Sequence, residues 1–322
     1  LIGGSKFRDD NANLFNDLRS TIASLFGSSK NNVVLSPNFS IGLNTLLNGF
    51  EKNQKILLLD KDYPSVNFAV TNKSFATCYA NIDENLEQNV AKAVAPHQPN
   101  IFLFSLVQYT NGILIDLDFL KELKAKYPDM LIIADATQFC GTAPFNFNES
   151  AIDILGGSGY KWLLGGYGNG YILFKDQLLP QTTPDSYIKS ASEATYDPSY
   201  TSLAARFECG HLDTFNFGSL QYSLQRISDI GLTTIEDQIK ELTAYTKQEL
   251  IKLELLDKAT IKRKIHSSIF NLKGDQKLYT YLKDHDIITA LRGEGIRISM
   301  HFYNTIEDIE KFLKVIYQYR KL

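Results

Sequence analysis

The chain has 322 residues, 44% hydrophobic and 12% aromatic, enough apolar mass for a large core divided into one large and one smaller domain. A formal charge of −3 without any block of lysine and arginine speaks against nucleic acid or an anionic membrane as the main partner and leaves a small molecule. Cys78, Cys140 and Cys209 form no Cys-x-x-Cys pair, so no disulfide framework and no metal site is expected, and a cytoplasmic location fits.

No apolar run approaches the roughly 18 residues that span a bilayer, and the N-terminus lacks a basic, then apolar, leader. Because the chain opens on Leu1 rather than methionine, an N-terminal segment is expected to be missing. In chain order, strands are expected at 33–35, 56–59, 101–104, 131–133 and 171–174, with helices over 41–47 and 117–126. Several of these strands are apolar throughout, as strands covered by helices on both faces must be. The pattern is that of βα units around a mostly parallel sheet. The stretch 181–200 reads as an irregular surface or active-site loop. Long helical patterns follow over 219–230 and 235–253. After them come a strand at 267–271, a helix at 277–283, a strand at 296–300 and a helix at 306–319. The expected division is a large domain, 1–215, and a small α+β domain, 216–322, that includes a connecting helix.

The segment Gly156-Gly157-Ser158-Gly159-Tyr160-Lys161-Trp162-Leu163-Leu164-Gly165-Gly166 carries the strongest chemical signal. Glycines let the backbone approach a bound group closely and make positive-φ turns, and the apolar neighbours of Lys161 can desolvate its amine for imine formation. The bland alternative is a lysine snorkelling from a loop. Asp135 ends the run Leu131-Ile132-Ile133-Ala134, which places a carboxylate at the carboxyl end of a buried strand, where open α/β sheets bind ligands. A helix cap or a magnesium ligand is the competing reading for it. Ser40 opens a helix whose unpaired N–H groups suit an anion.

Together, Asp135-Ala136-Thr137-Gln138-Phe139-Cys140-Gly141 and Ser158-Gly159-Tyr160-Lys161-Trp162-Leu163-Leu164-Gly165 resemble the class V aminotransferase family of pyridoxal 5′-phosphate (PLP) enzymes. Relatives in that family include cysteine desulfurases, selenocysteine lyase, isopenicillin N epimerase and kynureninase. The resemblance implies the α/β, fold type I architecture of PLP-dependent transferases. It also implies that Lys161 holds PLP as a Schiff base and shuttles protons, Asp135 binds the pyridinium nitrogen and Gln138 the phenolate oxygen. Ser158 and Tyr160 are expected on the phosphate, together with the loop Ser36-Pro37-Asn38-Phe39-Ser40. By the same likeness Tyr63 stacks on the cofactor ring, and His211 reaches the phosphate of a neighbouring subunit in a homodimer. Arg297 grips the substrate α-carboxylate, with Arg292 as its rival. His211 stands where the family has threonine, Tyr109 where desulfurase-like relatives tend to carry asparagine, and no cysteine follows Cys209 to accept sulfur. The expected activity is therefore amino-acid transamination. An epimerase or lyase of the same family and a non-catalytic PLP-fold binding protein are the alternatives.

Overall fold

The computed structural model describes residues 4–178, 203–208 and 210–322. Its first half runs α1 (Gly4–Phe26), β1 (Val33–Ser36), α2 (Phe39–Asn48), β2 (Lys55–Leu59), α3 (Pro64–Thr71), β3 (Ala76–Ala80), α4 (Leu86–His97), β4 (Ile101–Ser105), α5 (Leu117–Lys126), β5 (Leu131–Asp135), β6 (Ile154–Ser158) and β7 (Gly170–Phe174). The second half runs α6 (Leu203–Phe207), α7 (Thr214–Ile230), α8 (Leu232–Lys252), α9 (Lys258–Lys262), β8 (Ile269–Lys273), α10 (Gln276–Asp284), β9 (Ala290–Arg292), β10 (Gly295–Ser299) and α11 (Ile306–Tyr319). The loop expected at 181–200 lies outside the described residues.

The large sheet has the order β1-β7-β6-β5-β4-β2-β3. Pairing is parallel from β6 through β5, β4 and β2 to β3, whereas β7 runs antiparallel to both β6 and β1. Alternate strand side chains enter two separate cores. Leu57, Phe102, Phe104, Ile132 and Leu155 face α1 and α7, while Ile56, Leu58, Ile101, Leu103, Ile133 and Ile154 face α2 and α3. Both faces are thus dry, which explains the continuous apolar runs.

Two large-sheet strands are absent from the sequence reading. At the sheet edge, β3 mixes exposed Ala76 and Tyr79 with buried Cys78, so it lacks a clean apolar run. The other, β6, contains Gly156 and Gly157, which read as turn residues but lie fully inside the strand. A Cβ on Gly156 would stand 2.5 Å from the Phe39 ring, and one on Gly157 would stand 3.1 Å from the Tyr171 hydroxyl. The glycines serve packing on protein neighbours at these positions, and the positive-φ turns come later, at Gly166 and Gly168.

A second antiparallel sheet, β8-β10-β9, has its own core of Leu242, Leu250, Phe270, Leu272, Ile296, Phe312 and Ile316. By contrast Phe217, Leu220, Leu224 and Ile227 of α7 and Ile235 and Ile239 of α8 pack into the large-sheet core. The two parts are pinned together at Gly112, whose carbonyl accepts the N–H and hydroxyl of Ser267. They are pinned again at Arg263, which meets both Glu87 oxygens at 2.7 Å. Among the described residues, no helix is long and apolar enough to cross a membrane.

The amino end of β5 rests on buried Asp153, whose Oδ2 accepts both the Lys124 ammonium and the Ile132 N–H at 2.8 Å. Asp153→Ala leaves the buried Ile132 N–H unpaired and the partly buried Lys124 ammonium with only the Met130 carbonyl. It should cost about 3–5 kcal/mol, read as a lowered urea midpoint with unchanged slope.

Candidate active site

Parallel strands end together, so the carboxyl ends of β2, β4, β5 and β6 open onto one edge of the sheet, where the tip of α2 closes a cleft of about 510 Å³. Nine of the candidate cofactor residues line it, Asn38, Phe39, Ser40, Tyr63, Asp135, Gln138, Ser158, Tyr160 and Lys161, and so does Tyr109.

Asp135 is the last residue of β5 and is buried. Its Oδ1 accepts the Thr137 N–H at 2.8 Å, and Thr137 is its hydrogen-bond partner among the described residues. Burial pushes its pKa up to about 6 against the pull of Thr137 and of the Lys161 charge. Lys161 stands in the loop between β6 and β7. Desolvation lowers its amine to about 8, opposed by Asp135 and assisted by Arg297 and Arg292. Its Nζ lies 5.8 Å from the Tyr63 ring centre and 5.7 Å from that of Tyr160. It makes no salt bridge among the described residues. The cleft therefore holds an amine with a sizeable neutral fraction near physiological pH and a carboxylate short of partners.

The α2 tip is prepared for an anion, but not by every residue named for that task. Asn38 caps the helix by accepting from the Ile41 N–H, and the Phe39 N–H donates to the Ser158 hydroxyl at 3.0 Å. Those two amides are committed. The Ser40 N–H and hydroxyl stay without an acceptor among the described residues, and Ser158 keeps its own hydroxyl proton to donate. This is the donor set a phosphate needs at a helix N-terminus.

Tyr63 forms one wall, edge to face with Tyr109 at 5.3 Å. It is fixed by buried Asp62, which accepts the N–H groups of Tyr63 and Ser105 and so ties the ends of β2 and β4 together. Gln138 accepts the indole N–H of Trp162 at 2.9 Å. Half-buried Arg297 is not among the lining residues; its Nη1 donates to the carbonyl of Tyr109, which is, at 2.8 Å, whereas Arg292 is exposed. His211 is not brought to the cleft of its own chain; it lines a neighbouring cavity beside Pro37 and Asp213. The bonding roles of Asp62, Thr137 and the Trp162 indole N–H escape the sequence reading, which takes Trp162 only as apolar surface beside Lys161. Only the Asp-x-Thr spacing after a strand, an Asx-turn signal, could have marked Thr137.

A sheet edge that gathers a desolvated amine, a buried carboxylate and a helix tip with open N–H donors around one cleft is a place where an open α/β fold can hold a charged cofactor. The pattern described as aminotransferase class-V matches residues 3–312, and the chain belongs to that family. The family's cofactor is PLP, and the residues fit it. Asp135 has room for a ring-nitrogen proton, Ser40 and Ser158 for a phosphate and Lys161 for an aldehyde. The chain is 24% identical over 298 residues to the "Uncharacterized aminotransferase YcbU" of Bacillus subtilis, covering 90% of this chain and 80% of that protein. It is 23% identical over 351 residues to a "Probable cysteine desulfurase" of Ureaplasma parvum, covering 98% and 85%. Among solved structures it superimposes on the apo cysteine desulfurase of Thermococcus onnurineus NA1. The TM-score is 0.83 at 21% identity, over 97% of this chain and 85% of that one. These structures share the fold.

Burial of Asp135 makes the stability of the fold depend on pH. The folded pKa of Asp135, about 6, lies above the ordinary 3.8. The contribution of its protonated form to stability is therefore complete below pH 3.8 and lost as pH rises through 6. Asp135→Asn should accordingly stabilise the apoprotein at about pH 7–8 by on the order of 2 kcal/mol while weakening PLP binding about tenfold or more. Thermal melts of the apoprotein and absorbance titration with PLP check the two signs.

Proposed function

We propose that the protein is an aminotransferase that takes the amino group from an amino acid. The observation that carries the reading is the pairing in one cleft of the Lys161 amine, lowered to about 8, with the desolvated Asp135 carboxylate. PLP, when bound, supplies an aldehyde for exchange with the substrate amine and a ring that draws electrons from the substrate's α-carbon. Asp135 holds the proton on the ring nitrogen, Ser40, Ser158 and Tyr160 hold the phosphate, Gln138 faces the phenolate oxygen and Tyr63 covers the ring. Lys161 would take the substrate's α-proton on Nζ as general base and hold it for return. Arg297 turns its planar fork from the Tyr109 carbonyl to the substrate carboxylate.

Sulfur transfer is disfavoured by the thiols. Cys78 and Cys140 are buried, and burial pushes the Cys140 thiol up to about 12, so neither offers a thiolate to the cleft. Cys209 lies outside the described residues, and no cysteine follows it. The reading extends to a cytoplasmic homodimer in which His211 serves the partner's phosphate. It is supported by the exposure of His211 and its place outside its own cleft.

The deciding experiment adds single amino acids to the PLP-loaded protein without any keto acid. Formation of the pyridoxamine phosphate form with an equimolar keto acid is expected. Release of sulfide, selenide or pyruvate with the PLP form retained would overturn transamination in favour of a lyase, and racemised substrate would favour an epimerase. No spectral response to any amino acid would favour a binding protein. Lys161→Ala should lose the visible band, and Arg297→Lys should raise KM roughly 10- to 100-fold. Light scattering at a monomer mass would remove the homodimer.

A further inference from the structure

Gln138 is presented to the cleft in one sense only. An indole N–H is a donor and nothing else, so the atom that meets Trp162 Nε1 at 2.9 Å must be the amide oxygen. The two N–H groups of Gln138 are then what it has left for the cleft that it lines. A glutamine free to turn over would offer oxygen instead, and oxygen repels an anionic phenolate.

The indole is itself held from the other side. Trp162, adjacent to Lys161 and the single tryptophan of the chain, is buried and stacks on the His301 ring with centroids 4.8 Å apart and planes 21° from parallel. His301 belongs to the turn between β10 and α11, and several contacts fix its place. Its N–H donates to Asn304 Oδ1 at 2.9 Å, its Nδ1 accepts the Phe302 N–H at 3.0 Å, and its ring stacks on Tyr303. Asn304 in turn bonds Asp308, the residue that completes the capping box of α11. Accepting at Nδ1 makes the ring neutral, and burial keeps it so by lowering its pKa to about 4. The small sheet thus dictates where a ring of the large part's lysine loop lies.

We propose that Trp162 and His301 are positioning residues. His301 fixes the indole, the indole fixes the Gln138 amide with its N–H groups toward the cofactor's phenolate oxygen, and cofactor orientation is thereby tied to the strand that carries Arg297. The proposal rests on the reading that Gln138 faces the cofactor.

The test is a double-mutant cycle on the PLP dissociation constant, titrated by absorbance with Trp162→Phe, Gln138→Ala and the double variant. Phenylalanine keeps an aromatic ring on His301 and removes only the donor. Each single variant should weaken PLP about tenfold, and the double variant no further than Gln138→Ala alone, because Trp162 acts through Gln138. Losses that multiply, or an unaffected Trp162→Phe, would overturn the positioning role. If Gln138→Ala leaves PLP affinity and the visible band unchanged, the cofactor reading of Gln138 falls and the proposal with it. The His301 link is read without cofactor, from the emission of Trp162 in the apoprotein. His301→Ala should shift it to longer wavelength as the indole loosens, and His301→Phe should restore it. Identical emission from wild type and His301→Ala would break the link.

Discussion

Two ionisable groups kept from water and short of partners set the terms for everything else at this site. Asp135 is buried at a strand end with Thr137 as its partner, and Lys161 lies in the same cleft without a salt bridge among the described residues. Each pays a desolvation cost in its charged form, and each is pulled partway back by the field of the other. A fold keeps such groups only if rigid surroundings prevent them from collapsing onto nearer partners. The parallel sheet supplies that rigidity, since Asp135 pairs with Ser105 on one side and Gly156 on the other.

How far the sequence could show this follows from the kind of signal each part leaves. Strands buried on both faces leave continuous apolar runs, and β1, β2, β4, β5 and β7 are each legible for that reason. Edge strand β3 alternates irregularly, and β6 hides behind two glycines, so neither leaves such a run. Long α1 is polar along much of its exposed face, and its anchors Leu18, Ile22 and Phe26 fall near its end.

In the site, Asp135 and Lys161 were legible because a charged residue in an apolar or glycine-rich setting stands out locally. The supporting shell was not, since each of its contacts joins distant segments: Trp162 to Gln138, Asp62 to Ser105, Phe39 to Ser158. Phe39 shows the difference. Its place in the phosphate loop was readable, but that Ser158 takes its N–H, leaving the Ser40 amide as the open donor, depends on the packing of β6 against α2. Arg297 and His211 likewise needed coordinates, one being half-buried with its guanidinium on the Tyr109 carbonyl and the other standing outside its own chain's cleft.

The reversed direction of β7 has a consequence for the reactive amine. Antiparallel neighbours can be joined by a short hairpin, whereas parallel ones need a long crossover. Lys161 therefore rides on residues 159–169, a brief leash moored at both ends to fully buried strands, with Gly159 and Asn169 bonded across its base. Such a tether grants the amine little travel beyond the sweep of its own side chain. On the proposed function, differences in substrate size then fall to the parts of the cleft outside the lysine hairpin, Tyr109 among them.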